Sequence, residues 1–146
     1  MFNRVILIGN VGKDPEIKSM NNGGKVATFS IATSERWRDK ATGEKKERTE
    51  WHNIVVFNEG IVGVIEQFVK KGTRVGIEGS LATRKWQHSD GTDRYSTEVV
   101  LKQFNGSLIL MGENTGGGRP APDEDAYGST RTKEGRKAAM DDEIPF

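Results

Sequence analysis

Apolar residues in most of this chain recur in short runs at the two-residue spacing of a β-strand. In one segment, "EGIVGVIEQFVKKG" at 59–72, they recur at helical spacing instead. That single change of period sets the order of elements. Within it Ile61, Val62, Val64, Ile65, Phe68 and Val69 form an apolar stripe. Gly72 predicts the C-terminal stop, and Lys70-Lys71 just before it would complement the negative end of the helix dipole.

The strands lie on either side. "RVILIGNV" (4–11) is a nearly continuous apolar run suited to a buried strand. "KVATFSIAT" (25–33) alternates Ala27, Phe29 and Ile31 against Thr28 and Ser30. "TEWHNIVVF" (49–57), "TRVGIEGSLATRKW" (73–86) and "RYSTEVVLKQF" (94–104) are further strands, and "SLILMG" (107–112) ends the body. Asn22-Gly23-Gly24 and Asp90-Gly91 mark tight turns, and 18 glycines in the chain favour many of them. Three strands, a helix and two or more strands predict an all-β chain: a five-stranded Greek-key barrel of the OB type, with the helix between strands 3 and 4. A small β-sandwich is the competing arrangement.

Composition breaks near Gly112. Residues 1–112 carry 17 Lys and Arg against 13 Asp and Glu, whereas residues 113–146 carry 5 against 8. A basic body with an acidic end predicts a polyanion partner for the first and a separate role for the second. The segment 113–140 is poor in large apolar residues and rich in Gly, Pro, Ser, Thr and charge, so it reads as a disordered linker. The tip 141–146 restores apolar groups beside three acids. Its Asp141, Asp142, Glu143, Ile144, Pro145 and Phe146 suit a partner pocket that takes a phenyl ring and a carboxylate together.

Several classes are set aside. No apolar run reaches about 18 residues, so no membrane span or membrane partner is expected. "MFNRVILIGN" lacks a small-residue cleavage site, and no signal peptide is expected. Zero cysteines exclude disulfides and thiolate metal sites and fit a reducing cytoplasm. His52 and His88 lack ligand spacing, so neither a metal nor another cofactor is expected. A nuclease built on Asp90, Asp93 and Glu98 is the enzymatic rival, but no other carboxylate cluster joins them and no catalytic residues are assigned.

The aromatic residues carry the functional reading. Strand parity in 49–57 puts Ile54 and Val56 with His52 on one face, and Trp51, Asn53, Val55 and Phe57 on the other. In 73–86 the core set is Val75, Ile77 and Leu81, while Trp86 falls with the polar set. His52 is expected to be buried or at a subunit contact. Trp37 stands in the polar run "SERWRDK" between Arg36 and Arg38, and the segment from there to Trp51 reads as a polar loop. Cations border each tryptophan: Arg36 and Arg38 around Trp37, Lys45, Lys46 and Arg48 before Trp51, and Arg84 and Lys85 before Trp86. Single-stranded nucleic acid needs that combination, because unpaired bases stack on aromatic rings and phosphates need cations. RNA binding, or tryptophans serving only as subunit contacts, would use similar surfaces.

The stretches "NRVILIGNVGKDPEI", "ATSERWRDKATGEKKERTEWHNIVVF", "GTRVGIEGSLATRKW" and "DRYSTEV", with the terminal "DDEIPF", closely resemble bacterial single-stranded DNA-binding proteins (SSB) over residues 3–112 and the tip. The resemblance implies an OB-fold core, assembled as a homotetramer, that wraps single-stranded DNA without catalysis. It implies DNA-stacking roles for Trp37, Trp51, Phe57 and Trp86. It further implies a cytoplasmic, nucleoid-associated protein whose tip recruits replication, recombination and repair enzymes. Glu143 stands where the family usually has a third aspartate, and the linker is short and lacks the family's frequent glutamines.

Overall fold

The computed structural model describes residues 1–112; the linker 113–140 and the tip 141–146 lie outside the described residues. Seven strands and one helix run in the order β1 (Val5–Val11), β2 (Glu16–Ser19), β3 (Lys25–Arg38), β4 (Lys45–Val56), α1 (Glu59–Phe68), β5 (Arg74–Gln87), β6 (Asp93–Leu101) and β7 (Ser107–Leu110). Five of them close on themselves: β1 pairs β3, β3 pairs β4, β4 pairs β6, β6 pairs β5, and β5 returns to β1. All these pairings are antiparallel except β4 with β6. This is the five-stranded Greek-key OB barrel, with α1 between its third and fourth strands. A sandwich would leave two separate sheets, and the β1–β5 pairing rules that out.

The two other strands are additions to this frame. β2 folds back on β3 through the turn whose Gly23 has φ 83°, and β7 lies along β5. The alternation within the barrel strands accounts for the interior. Phe29, Ile31, Ile54, Val56, Val75, Ile77, Val99 and Leu101 point inward and are buried. Helix α1 closes the barrel with Val62 and Ile65, which are also buried. Its start is fixed by Asn58, whose side-chain oxygen accepts from the N–H groups of Gly60 at 3.0 Å and Ile61 at 3.2 Å.

Three expectations need correction. The helix ends at Phe68, with Val69 already extended, so it does not reach Gly72. Lys70 and Lys71 therefore sit outside its last turn, while Gly72 keeps a left-handed φ of 89° in the turn that follows. Leu81 has the interior parity but is 48% exposed, because β5 has by then run past its pairing with β1, which ends at Gly79, and reached the rim of the barrel. The segment between Trp37 and Trp51 is mostly strand. β3 and β4 stay paired from Ala27–Val56 out to Arg38–Lys45, leaving only 39–44 as the connection. Charged and polar side chains alternate there on a ribbon exposed on both faces, so the sequence lacks the apolar signal that marks a barrel strand.

Among the described residues no helix is long and apolar enough to cross a membrane.

Candidate nucleic-acid interface

Two hairpin arms, β3–β4 and β5–β6, extend beyond the barrel. Because β4 and β6 run parallel, the connections that feed their starts leave the barrel from the same end. The arms therefore rise side by side, with tips at 39–44 and 88–92.

Register assigns each side chain to a face. Asn53 pairs with Glu98 across the parallel ladder, and Glu98 pairs with Ala82 across the antiparallel one. Directly paired residues share a face. The outer face therefore carries Trp51, Asn53 and Val55 on β4, Ser96 and Glu98 on β6, and Ala82, Arg84 and Trp86 on β5. Phe57, one residue beyond β4, continues this alternation; its N–H donates to the Leu101 carbonyl at 2.9 Å and its ring is 42% exposed. Three of the four expected aromatics thus share one continuous surface.

Trp37 does not. The ladder from Ala27–Val56 to Arg38–Lys45 has no bulge, so Trp37 keeps the parity of Phe29 and Ile31, opposite to that of Trp51. Trp37 thus takes the aliphatic parity, whereas Trp51 and Trp86 take the other. Trp37 is nevertheless 47% exposed, because it lies on the arm and not over the barrel interior. The neighbouring arginines fall on the outer face instead: Arg36 pairs with Glu47 and Arg38 with Lys45, in step with Trp51.

Each aromatic is held differently. Trp51 is half-buried: it and Ser30 lie against Gly12, where any added Cβ would overlap the indole. Trp86 is 39% exposed and fixed by its indole N–H, which donates to Ser96 Oγ at 2.7 Å. His52 is half-buried, with Nε2 2.8 Å from Thr33 Oγ1, which agrees with its expected side of the strand.

The cations divide into two groups. Arg36 pairs with Glu47 at 3.4 Å, Lys46 with Asp39 at 2.6 Å, Arg84 with Glu98 at 3.1 Å and Lys85 with Asp93 at 3.1 Å; Arg48 pairs with Glu50. The Lys46 hydrogen bond holds the Asp39 carboxyl below its usual range, and the same contact raises the Lys46 ammonium. Arg38 and Lys45 make no ion pair among the described residues, although they face each other directly across the ladder. Like charges so placed repel, and a bound anion would relieve them. Arg94 has the same character. It stands directly opposite Trp86, exposed and without an ion pair among the described residues. Sequence reading missed Arg94, since only the β5–β6 register brings it to Trp86.

The three carboxylates weighed as a nuclease site do not converge. Asp93 and Glu98 differ in parity on β6 and pair with different cations, and Asp90 accepts from Thr92 N and Oγ1. No group of metal-ligating side chains occurs among the described residues.

The single-strand binding protein family matches residues 2–106. A single-stranded DNA-binding protein of Rickettsia prowazekii is 48% identical over 150 residues, spanning 99% of this chain and 97% of the relative. One from Rhizobium meliloti is 57% identical over 125 residues, 83% of this chain and 72% of the relative. Among solved structures, a Plasmodium falciparum SSB in complex with single-stranded DNA superposes with a TM-score of 0.70 at 47% identity, covering 77% of this chain and 96% of that one. The chain belongs to the single-strand binding protein family, a family of non-enzymatic DNA-binding proteins.

Proposed function

We propose that this protein binds single-stranded DNA without sequence preference, stacking bases on Trp51, Phe57 and Trp86 of the outer face and on Trp37 of the first arm. The observation that carries this reading is the common outer face. It joins three accessible rings to Arg38, Lys45 and Arg94, cations that no acid neutralises among the described residues. Bases stack at roughly 1–3 kcal/mol each whatever their identity, so such a surface selects for unpaired strands and against no base.

Phosphates are held first by these free cations. Arg36, Lys46, Arg48, Arg84 and Lys85 join by exchanging a carboxylate for a phosphate. That exchange is inexpensive, since exposed ion pairs contribute only about 0–1 kcal/mol. Self-assembly, as a homotetramer, is supported by a second surface. Ile6, Ile8, Ile109 and Met111 are exposed, and the last three surround Gly76. The tip from Asp141 to Phe146 recruits replication, recombination and repair proteins in the cytoplasm; the acids and the terminal Ile-Pro-Phe of the sequence support this role.

Titration with oligo-dT, oligo-U and duplex DNA at two salt concentrations tests the binding reading. Tight, salt-sensitive binding to oligo-dT with weak binding to duplex is expected; equal affinity for duplex would contradict it. Stronger binding to oligo-U would favour an RNA target. Light scattering on the free protein checks the assembly, with four subunits expected and a monomer contradicting it.

A further inference from the structure

The β5–β6 arm does not end its ring surface at Trp86. His88 follows two residues later on the same strand line, and its ring centroid lies 5.8 Å from that of Trp86 at an interplanar angle of 49°. The tip that carries it is tightly built. His88 N–H donates to the Thr92 carbonyl, Gly91 N–H donates to the His88 carbonyl, and Gly91 takes a φ of 85°. The imidazole is oriented on one edge only, with Nδ1 3.4 Å from both Ser89 Oγ and Asp90 Oδ1.

From these contacts we infer that His88 is an additional DNA contact, stacking beside Trp86 when neutral and adding a phosphate contact through Nε2 when protonated. The inference rests on the stacking role proposed for Trp86. The charged groups around the ring are few. Asp90 faces it from the tip and Arg94 stands opposite Trp86 on β6, while Lys85 and Asp93 pair with each other on the opposite face. Asp90 is itself engaged by the Thr92 N–H and hydroxyl, which hold its carboxyl below the usual range. It therefore stays ionised beside Nδ1 and leaves Nε2 open. An imidazole ordinarily changes charge near pH 6.5, within the working range of a binding assay.

The test is oligo-dT binding by the full chain between pH 8 and pH 6, where thymine carries no titrating group. The wild-type chain should gain roughly two- to five-fold in affinity at the lower pH. Its salt dependence should steepen by about 0.7 for each His88 engaged. His88→Gln should bind about fivefold or more weakly than wild type at pH 8, through the stacking contact it loses, and should lose the pH dependence. His88→Arg should show the low-pH affinity and slope already at pH 8. A wild-type affinity independent of pH, or a full pH dependence surviving in His88→Gln, would overturn the inference while leaving the stacking role of Trp86 intact. No binding of oligo-dT at pH 8 would overturn both.

Discussion

Gly12 lies against the indole of Trp51, so close that an added Cβ would come within 2.9 Å of Cη2 and within 2.9 Å of Ser30 Oγ as well. The β1–β2 connection thereby fixes where a ring of the outer face can sit. Gly12→Ala should displace Trp51 and overpack the site, lowering stability by about 1–3 kcal/mol. Thermal unfolding reads the stability, and oligo-dT affinity should fall in the same variant.

Trp86→Ala should weaken binding of oligo-dT by about 1–3 kcal/mol while the barrel stays folded. The ring makes one hydrogen bond, to Ser96, and no core contact depends on it. Unchanged affinity with an unchanged circular dichroism spectrum would remove Trp86 from the site.

Much of this was legible in the sequence, for a physical reason. Barrel strands have one face against a core, so the alternation of Ile54 and Val56 against Trp51 and Val55 exposes both the strand and its faces. The arms have no core to face. Their residues carry no apolar alternation, so Trp37 reads as part of a polar loop and its parity is lost. Arg94 is hidden differently, since its importance comes from a cross-strand partner eight residues away. The helix end was misplaced because Val69 continues the apolar stripe while its backbone has already turned extended.

Free and paired cations should differ in salt dependence. Each phosphate contact to a single strand contributes about 0.7 to the slope of log affinity against log salt. Arg94→Gln, or Arg38→Gln with Lys45→Gln, should reduce the slope by about that much per residue. Arg36→Gln and Lys46→Gln should reduce it less, because each contact first has to displace Glu47 or Asp39.

Asp39→Asn should strengthen binding, since it frees Lys46 and removes an anion from the arm tip. In the wild-type protein this pair has a defined pH window. Asp39 has a lowered carboxyl pKa, so its stabilisation of the tip is present above about 3.8 and is lost as pH falls through the lower folded value. Lys46 has a raised pKa, so its share is present below about 10.5 and is lost as pH rises past the higher folded value. The pair is therefore intact at neutral pH. A carboxyl chemical shift of Asp39 that titrates above 3.8 would contradict this.

The central claim is that unpaired bases stack on the accessible indoles of the arms and the outer face. It is tested most directly by fluorescence of chains that keep one tryptophan, Trp51 or Trp86, with the other two replaced by phenylalanine. Saturating oligo-dT should quench each remaining indole strongly, at a strand length that matches the binding stoichiometry. Full binding with unquenched emission from both would place the DNA elsewhere and contradict the account.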